Sequence, residues 1–374
     1  MKISKIVIIS IISVTILTGC WDQHLLKDVK MVMSAGFDLT SDGKILSTVT
    51  IPLFTSGAGG TEAIESQVVT EIGDTPRDAR NKLNHKIAEQ YSASKLMVLL
   101  LGEEYAMQDI YPGLDLYYRD PKSNLLTNVV VVKGRATDLL NIKIQKNMLM
   151  SEYLSSLIQS EQDATFIPLQ KRPLISDMFD PGTDFVLPLI EPKAKEKEAQ
   201  MIGLAMFNGH KYTGQYLSHK DSTLYLLMAD QKRKSAWIKL KVHENKEPEM
   251  KNFIIFNVLK SNRDLKVMAK NPEDISVDLN LDFKVEIMEY PEDQLYSEKQ
   301  IDEMNKKLSK LLTKKVNDII KKMQRANSDS LGIGKHINAF HHDTWEKINW
   351  KKEYPNVNFN GKVKVEITQH GIFN

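Results

Sequence analysis

Three kinds of hydrophobic spacing run along this chain. The first is a block: residues 6–17 are an almost unbroken run of Ile, Val and Leu behind Lys2 and Lys5. A dozen apolar residues fall short of the roughly twenty that cross a bilayer. A basic start, a short apolar core and small residues after it describe a secretory signal peptide over residues 1–19. The second is alternation. Ile275, Val277, Leu279, Leu281, Phe283, Val285 and Ile287 are separated by polar residues, which predicts a strand with one covered face. The third has helical spacing. Ile301, Met304, Leu308, Leu312, Val316, Ile319 and Met323 follow the capping box Ser297-Glu298-Lys299-Gln300, so a long amphipathic helix is expected over about 298–326.

The remaining pattern is less regular. Residues 29–39 and 45–54 read as strands of a hairpin turning at Ser41-Asp42-Gly43-Lys44, with a flexible loop at 55–61 and a short strand at 67–72. Asp74-Thr75-Pro76 opens a helix whose buried face is Ala79, Leu83, Ile87 and Tyr91. Residues 96–101 and 129–132 are apolar throughout, as in doubly covered strands, and 103–118 reads as one helix between them. Two helical stretches follow, at 137–142 and 148–158. The prolines at 168, 173, 181, 188 and 192 argue against long regular elements over 166–192. The charge run 193–198 reads as a linker and domain boundary. Beyond it come a hairpin turning at Asn208-Gly209, a helix at 221–228, strands at 237–242, 253–259 and 265–268, and a closing strand where Val363, Val365 and Ile367 alternate.

The predicted class is therefore α+β and multidomain, with predominantly antiparallel or mixed sheets packed against helices. Residues 20–135 form an N-terminal α/β domain, 136–198 a helical and Pro-rich middle region, and 199–374 a C-terminal α+β part holding the long helix.

Composition narrows the function. The chain has 50 basic and 48 acidic residues, and loss of Lys2 and Lys5 with the signal balances them. A nucleic-acid binder would show a basic excess. Cys20 is the only cysteine, so a disulfide framework and a cysteine-ligated metal are excluded. Its setting, Leu17-Thr18-Gly19-Cys20, resembles the bacterial lipobox. There the small residue admits the peptidase, and the thiol takes diacylglycerol and becomes the new N-terminus. Acyl chains hold a protein stably at a membrane surface, so the mature chain is expected on the outer face of a cytoplasmic membrane.

Catalytic motifs are missing: there is no G-x-S-x-G, H-E-x-x-H, phosphate loop or S-x-x-K set. His336, His341 and His342 lie near Asp343 and Glu346, but spacings of five and one do not match ligands on a helix face. Gly332-Ile333-Gly334 follows a helix, so it reads as a turn and not as a dinucleotide fingerprint. Neither enzyme activity nor a cofactor is expected.

Several stretches together resemble the C subunits of spore germinant receptors, the Ger(x)C lipoproteins of endospore-forming bacteria. They are Gly19-Cys20-Trp21-Asp22; Gly102-Glu103-Glu104-Tyr105-Ala106; Asp115 with Arg119-Asp120; Gly203-Leu204-Ala205-Met206-Phe207; and a tail with Gln324, Asp329, Gly332, Gly334, Trp345, Trp350, Phe359 and Gly371. Two positions depart from the family pattern: Leu25 stands where an acidic residue is frequent, and Ser94 where a histidine is. The resemblance implies three mixed α/β domains outside the spore inner membrane, beside membrane-embedded A and B partner subunits. The complex would sense nutrients and trigger germination, with no enzymatic role for this subunit and nutrient contact unassigned. Gly332, Gly334, Trp345 and Trp350 either build a turn with tryptophans filling the core beneath it or face a partner. The competing reading is the substrate-binding lipoprotein of a transporter, which would show two Rossmann-like lobes.

Overall fold

Parallel strands lie at the centre of the larger sheet and antiparallel ones at its margins. The computed structural model describes residues 29–56, 62–87, 89–144, 148–170, 174–292, 295 and 297–370. Cys20, Trp21, Asp22 and Leu25 lie outside the described residues, as does most of the predicted 55–61 loop. The strands are β1 (Val29–Met31), β2 (Ser34–Leu39), β3 (Ile45–Ser56), β4 (Glu62–Gly73), β5 (Gln90–Ser92), β6 (Val98–Gly102) and β7 (Asn128–Val132). They continue with β8 (Val186–Lys193), β9 (Glu198–Asn208), β10 (Lys211–Ser218), β11 (Trp237–Lys241), β12 (Phe253–Asn271), β13 (Asp274–Glu289) and β14 (Asn358–Gln369).

The eight-stranded sheet runs β10-β9-β8-β7-β6-β2-β3-β4. Neighbours from β2 through β6 and β7 to β8 are parallel, while β2–β3–β4 and β8–β9–β10 are antiparallel. The continuous apolar runs of β6 and β7 are thereby explained, because helices cover both faces. Leu99, Leu101, Val129 and Val131 pack with Leu83, Leu114 and Tyr117 on one side. Val98, Leu100, Val130 and Val132 pack with Leu139, Leu154, Ile158 and Leu224 on the other. That second core continues without a break into the smaller sheet, β11-β12-β13-β14, and the long helix Glu298–Arg325.

Within the smaller sheet, β13 is antiparallel to β12 and parallel to β14. The predicted alternation in β13 faces inward from Ile275 to Val285. Met304, Leu308, Leu312, Val316, Ile319, Ile320 and Met323 of the long helix are buried, and Ser297 caps its start. The same helix also sends a polar row, Asn305, Ser309, Thr313 and Asn317, to the backbone N–H groups of Ile367, Val365, Val363 and Gly361. The outer edge of β14 is thus hydrogen-bonded by side chains spaced one helical turn apart.

Four expectations are corrected. The charge run at 193–198 is no linker: it turns between β8 and β9, with Lys193 opposite Glu198, so one sheet draws strands from all three predicted regions. Pro188 and Pro192 sit inside β8, against the reading that prolines exclude a regular element there. They are tolerated because β7 pairs only with Leu189 and Ile190, leaving no partner on that side to demand their missing N–H groups. The single helix over 103–118 is two, Glu103–Ala106 and Tyr111–Tyr118, since Pro112 suits a first turn and not an interior. The separate strands at 253–259 and 265–268 are one, β12, which carries Ser261 and Arg263 through the intervening polar stretch. In addition, Tyr91 belongs to β5, although it is buried as expected.

No helix among the described residues is long and apolar enough to cross a membrane.

Candidate functional site

The structure gathers the predicted C-terminal residues around a carboxylate. Asn327 leaves the long helix at positive φ, and Asp329 follows, 2 % exposed. Its Oδ1 accepts from the Ile333 N–H (3.0 Å), and its Oδ2 from the Gly334 N–H (2.7 Å) and the Trp350 indole N–H (3.0 Å). Gly332 has the positive φ, +75°, that a turn glycine supplies. Gly334 is required for a different reason: a Cβ there would overlap the Trp350 indole. Trp350 is buried and Trp345 half-buried, their ring centroids 6.3 Å apart. Tyr354 packs edge-on to Trp350.

A second carboxylate, unremarked in the sequence, ties this knot to the larger sheet. Asp184 precedes β8; its Oδ2 accepts from the Asp329 N–H (2.8 Å) and its Oδ1 from the Gly209 N–H (2.6 Å). The Asp184 N–H returns a bond to the Asp329 carbonyl (2.9 Å), and the Lys335 N–H donates to the Gly182 carbonyl (2.6 Å). Burial pushes the Asp329 carboxyl up to about 7, against the Gly334 and Ile333 N–H groups that favour the anion and with Asp184 adding to the rise. Burial likewise raises Asp184. Only a local contradiction of the pattern could have flagged Asp184: an acid standing directly before an apolar strand.

The N-terminal family positions meet elsewhere, in a cleft of about 1160 Å³ beside the β1–β5 ribbon. Ser94, Asp115, Arg119 and Asp120 all line it. Arg80 anchors its floor, with Nη2 2.8 Å from the Asp120 carboxylate and its guanidinium carbon 4.6 Å from the centre of the Tyr91 ring. Burial would raise the Asp120 carboxyl, but the Arg80 bond, the Lys122 N–H and Arg77 outweigh it and hold Asp120 below its ordinary value. Asp115 accepts from both Tyr111 Oη (2.9 Å) and Arg119 Nε (2.8 Å). Ser92 Oγ donates to Ser94 Oγ (3.0 Å), and among the described residues no histidine lines the cleft to activate either hydroxyl. Such a surface can bind charged groups; among the described residues it holds no histidine-activated nucleophile.

The histidines do not converge on a metal. The rings of His336 and His341 are 6.2 Å apart, burial lowers the His336 pKa, and no cluster able to hold an ion is found among the described residues.

Two family profiles cover most of the chain: the spore germination protein N-terminal domain matches residues 22–192, and the Spore germination B3/GerAC-like C-terminal domain matches residues 202–371. Spore germination protein GerQC of Bacillus cereus is 23% identical over 359 residues, 95% of this chain and 96% of its own. The putative spore germination protein YfkR of Bacillus subtilis (strain 168) is 26% identical, covering 85% of this chain and 83% of its own. The crystal structure of the GerBC protein shares the fold, with a TM-score of 0.55 at 18% identity over 90% of this chain and 97% of that one.

Proposed function

Since the chain belongs to the Ger(x)C family of spore germination proteins, we propose that it is the lipid-anchored C subunit of a nutrient germinant receptor. In this reading Cys20 carries the acyl chains and holds the subunit on the outer face of the spore inner membrane. There it assembles with two membrane-embedded partners, the A and B subunits. The observation that carries the reading is that both family profiles fall on one chain, in order, directly behind a lipobox whose cysteine is the only one present. Confinement to a surface raises the effective concentration of a subunit beside its partners. The tether from Cys20 to Val29 reaches at most about 30 Å, and Val29 and Met31 line the N-terminal cleft. That cleft therefore stays close to the membrane and to whatever the partners present there. The transporter reading has no support in the architecture, which joins one mixed eight-stranded sheet to a smaller one.

Fractionation of dormant spores carrying the native chain or Cys20→Ala, with germination followed across a nutrient panel, tests this. The native protein should sit in the inner membrane, and the variant should be mislocalised and lose the response to one nutrient class. Presence in growing cells, with altered solute uptake and intact germination, would overturn it.

A further inference from the structure

A cavity of about 500 Å³ lies between the two sheets, separate from the N-terminal cleft. Its walls come from residues 168–170 and 174–184, the start of β8, the end of the helix His219–Met228, β12 and the turn at Ser330–Gly332. Arg263 reaches it from an inward position of β12, on the face where Val267 and Ala269 are buried in the core. An arginine at such a position is costly unless its charge is met.

Most charged groups in this wall are met. Asp180 pairs with Lys335, Asp184 accepts two backbone N–H groups, and Asp177 is not free. Arg263 differs. Among the described residues its guanidinium has no hydrogen bond and no ion pair, and its Nε is buried without a partner. Asp230, Tyr225 and His336 are its titratable neighbours, none in bonding contact, and burial disfavours its charge. Two more unpartnered buried polar atoms line the same space, Ser330 Oγ and Gln170 Nε2. The unmet capacity is that of donors: a guanidinium fork, an amide N–H and a hydroxyl.

We propose that this cavity binds a small molecule through a carboxylate or phosphate group, with Arg263 as the recognising residue. A guanidinium matches the planar, two-oxygen edge of either group, and the volume is that of a small-molecule site. Tyr225 fixes one wall by donating its hydroxyl to the Ser330 carbonyl (3.2 Å), which keeps Ser330 beside the arginine.

The test is titration calorimetry on the full chain in detergent micelles, with inorganic phosphate and succinate as separate probes at ionic strength held constant by sodium chloride. Saturable heat with one probe or both is expected, and the responding probe identifies the oxyanion. Arg263→Gln should weaken binding by about tenfold or more, and Arg263→Lys less, since a lysine keeps the charge and loses the fork. A second measurement needs no variant: the responding anion should slow phenylglyoxal modification of Arg263 several-fold, read by peptide mass spectrometry, and leave Arg325, exposed at the end of the long helix, unaffected. Absence of saturable binding by both probes, equal binding by Arg263→Gln and the parent, or an unchanged rate of Arg263 modification in the presence of the anion would each overturn the proposal.

Discussion

Asn317 treats Gly361 as a neighbouring strand residue would. Its Oδ1 accepts the Gly361 N–H (3.1 Å) and its Nδ2 donates to the Gly361 carbonyl (2.9 Å). Glycine is needed there because a Cβ would stand 2.7 Å from Val316 Cγ1. Thr313 repeats the pattern one turn earlier, accepting from the Val363 N–H (2.9 Å) and donating to its carbonyl (3.4 Å). The last strand of the chain has an edge already occupied, in place of the open N–H row that invites pairing with another chain.

Asn317→Ala should cost about 1–2 kcal/mol, the price of leaving partly buried backbone groups unpaired. Urea unfolding would measure it. With Thr313→Val added, the freed edge should also promote self-association, seen as a concentration-dependent shift in gel filtration.

Trp350→Phe keeps the ring and removes only the indole donor to Asp329. The expected loss is about 1–3 kcal/mol, read from the melting temperature. Gly334→Ala should do at least as much damage for a steric reason, because its methyl has no space beside Trp350. If both variants melt like the parent, the carboxylate knot does not hold this end of the chain together.

The buried Asp329 carboxyl has a signed consequence for pH. Its folded value, about 7, stands above the ordinary 3.8, so the native state holds a proton that the unfolded chain releases. Its stabilising contribution is complete below about pH 4 and is lost as pH rises toward 7. Asp184 is raised in the same direction. Denaturant melts from pH 4.5 to 7.5 should therefore show Asp329→Asn gaining on the parent as pH rises. A constant gap would assign the residue no titration over that interval.

In the N-terminal cleft, Arg80→Ala strands Asp120. Removing one partner of a fully buried pair costs about 3–5 kcal/mol, and this half-screened pair should lose about 2. Asp120→Asn should cost less, since Arg80 keeps the Tyr91 ring. Unfolding of both single variants and the double variant would separate the two terms.

What could be read beforehand follows from how local each signal is. The alternation in β13 and the capped stripe of the long helix are repeated many times over adjacent residues, and both fall where expected. A proline in β8 misleads because its tolerance depends on where β7 ends, which is fixed by distant chain. β12 reads as broken because Ser261 and Arg263 are polar at inward positions, and for Arg263 the cavity it faces is the distant feature that explains this. Gly332, Gly334 and Trp350 stood out as residue types, whereas Asp184, 145 residues before Asp329, carries no local mark of the bond that joins them.

The hairpin of β8 and β9 means that the border between the two family profiles, at 192–202, runs through the middle of a sheet. Neither half is a natural unit of expression. A fragment ending near 195 would present the whole length of β8 as a raw edge, and its complement would begin with an orphaned β9. Cut there, the two polypeptides should be insoluble apart and should reassemble when produced together. A cut between the β10 hairpin and β11 would leave the large sheet whole.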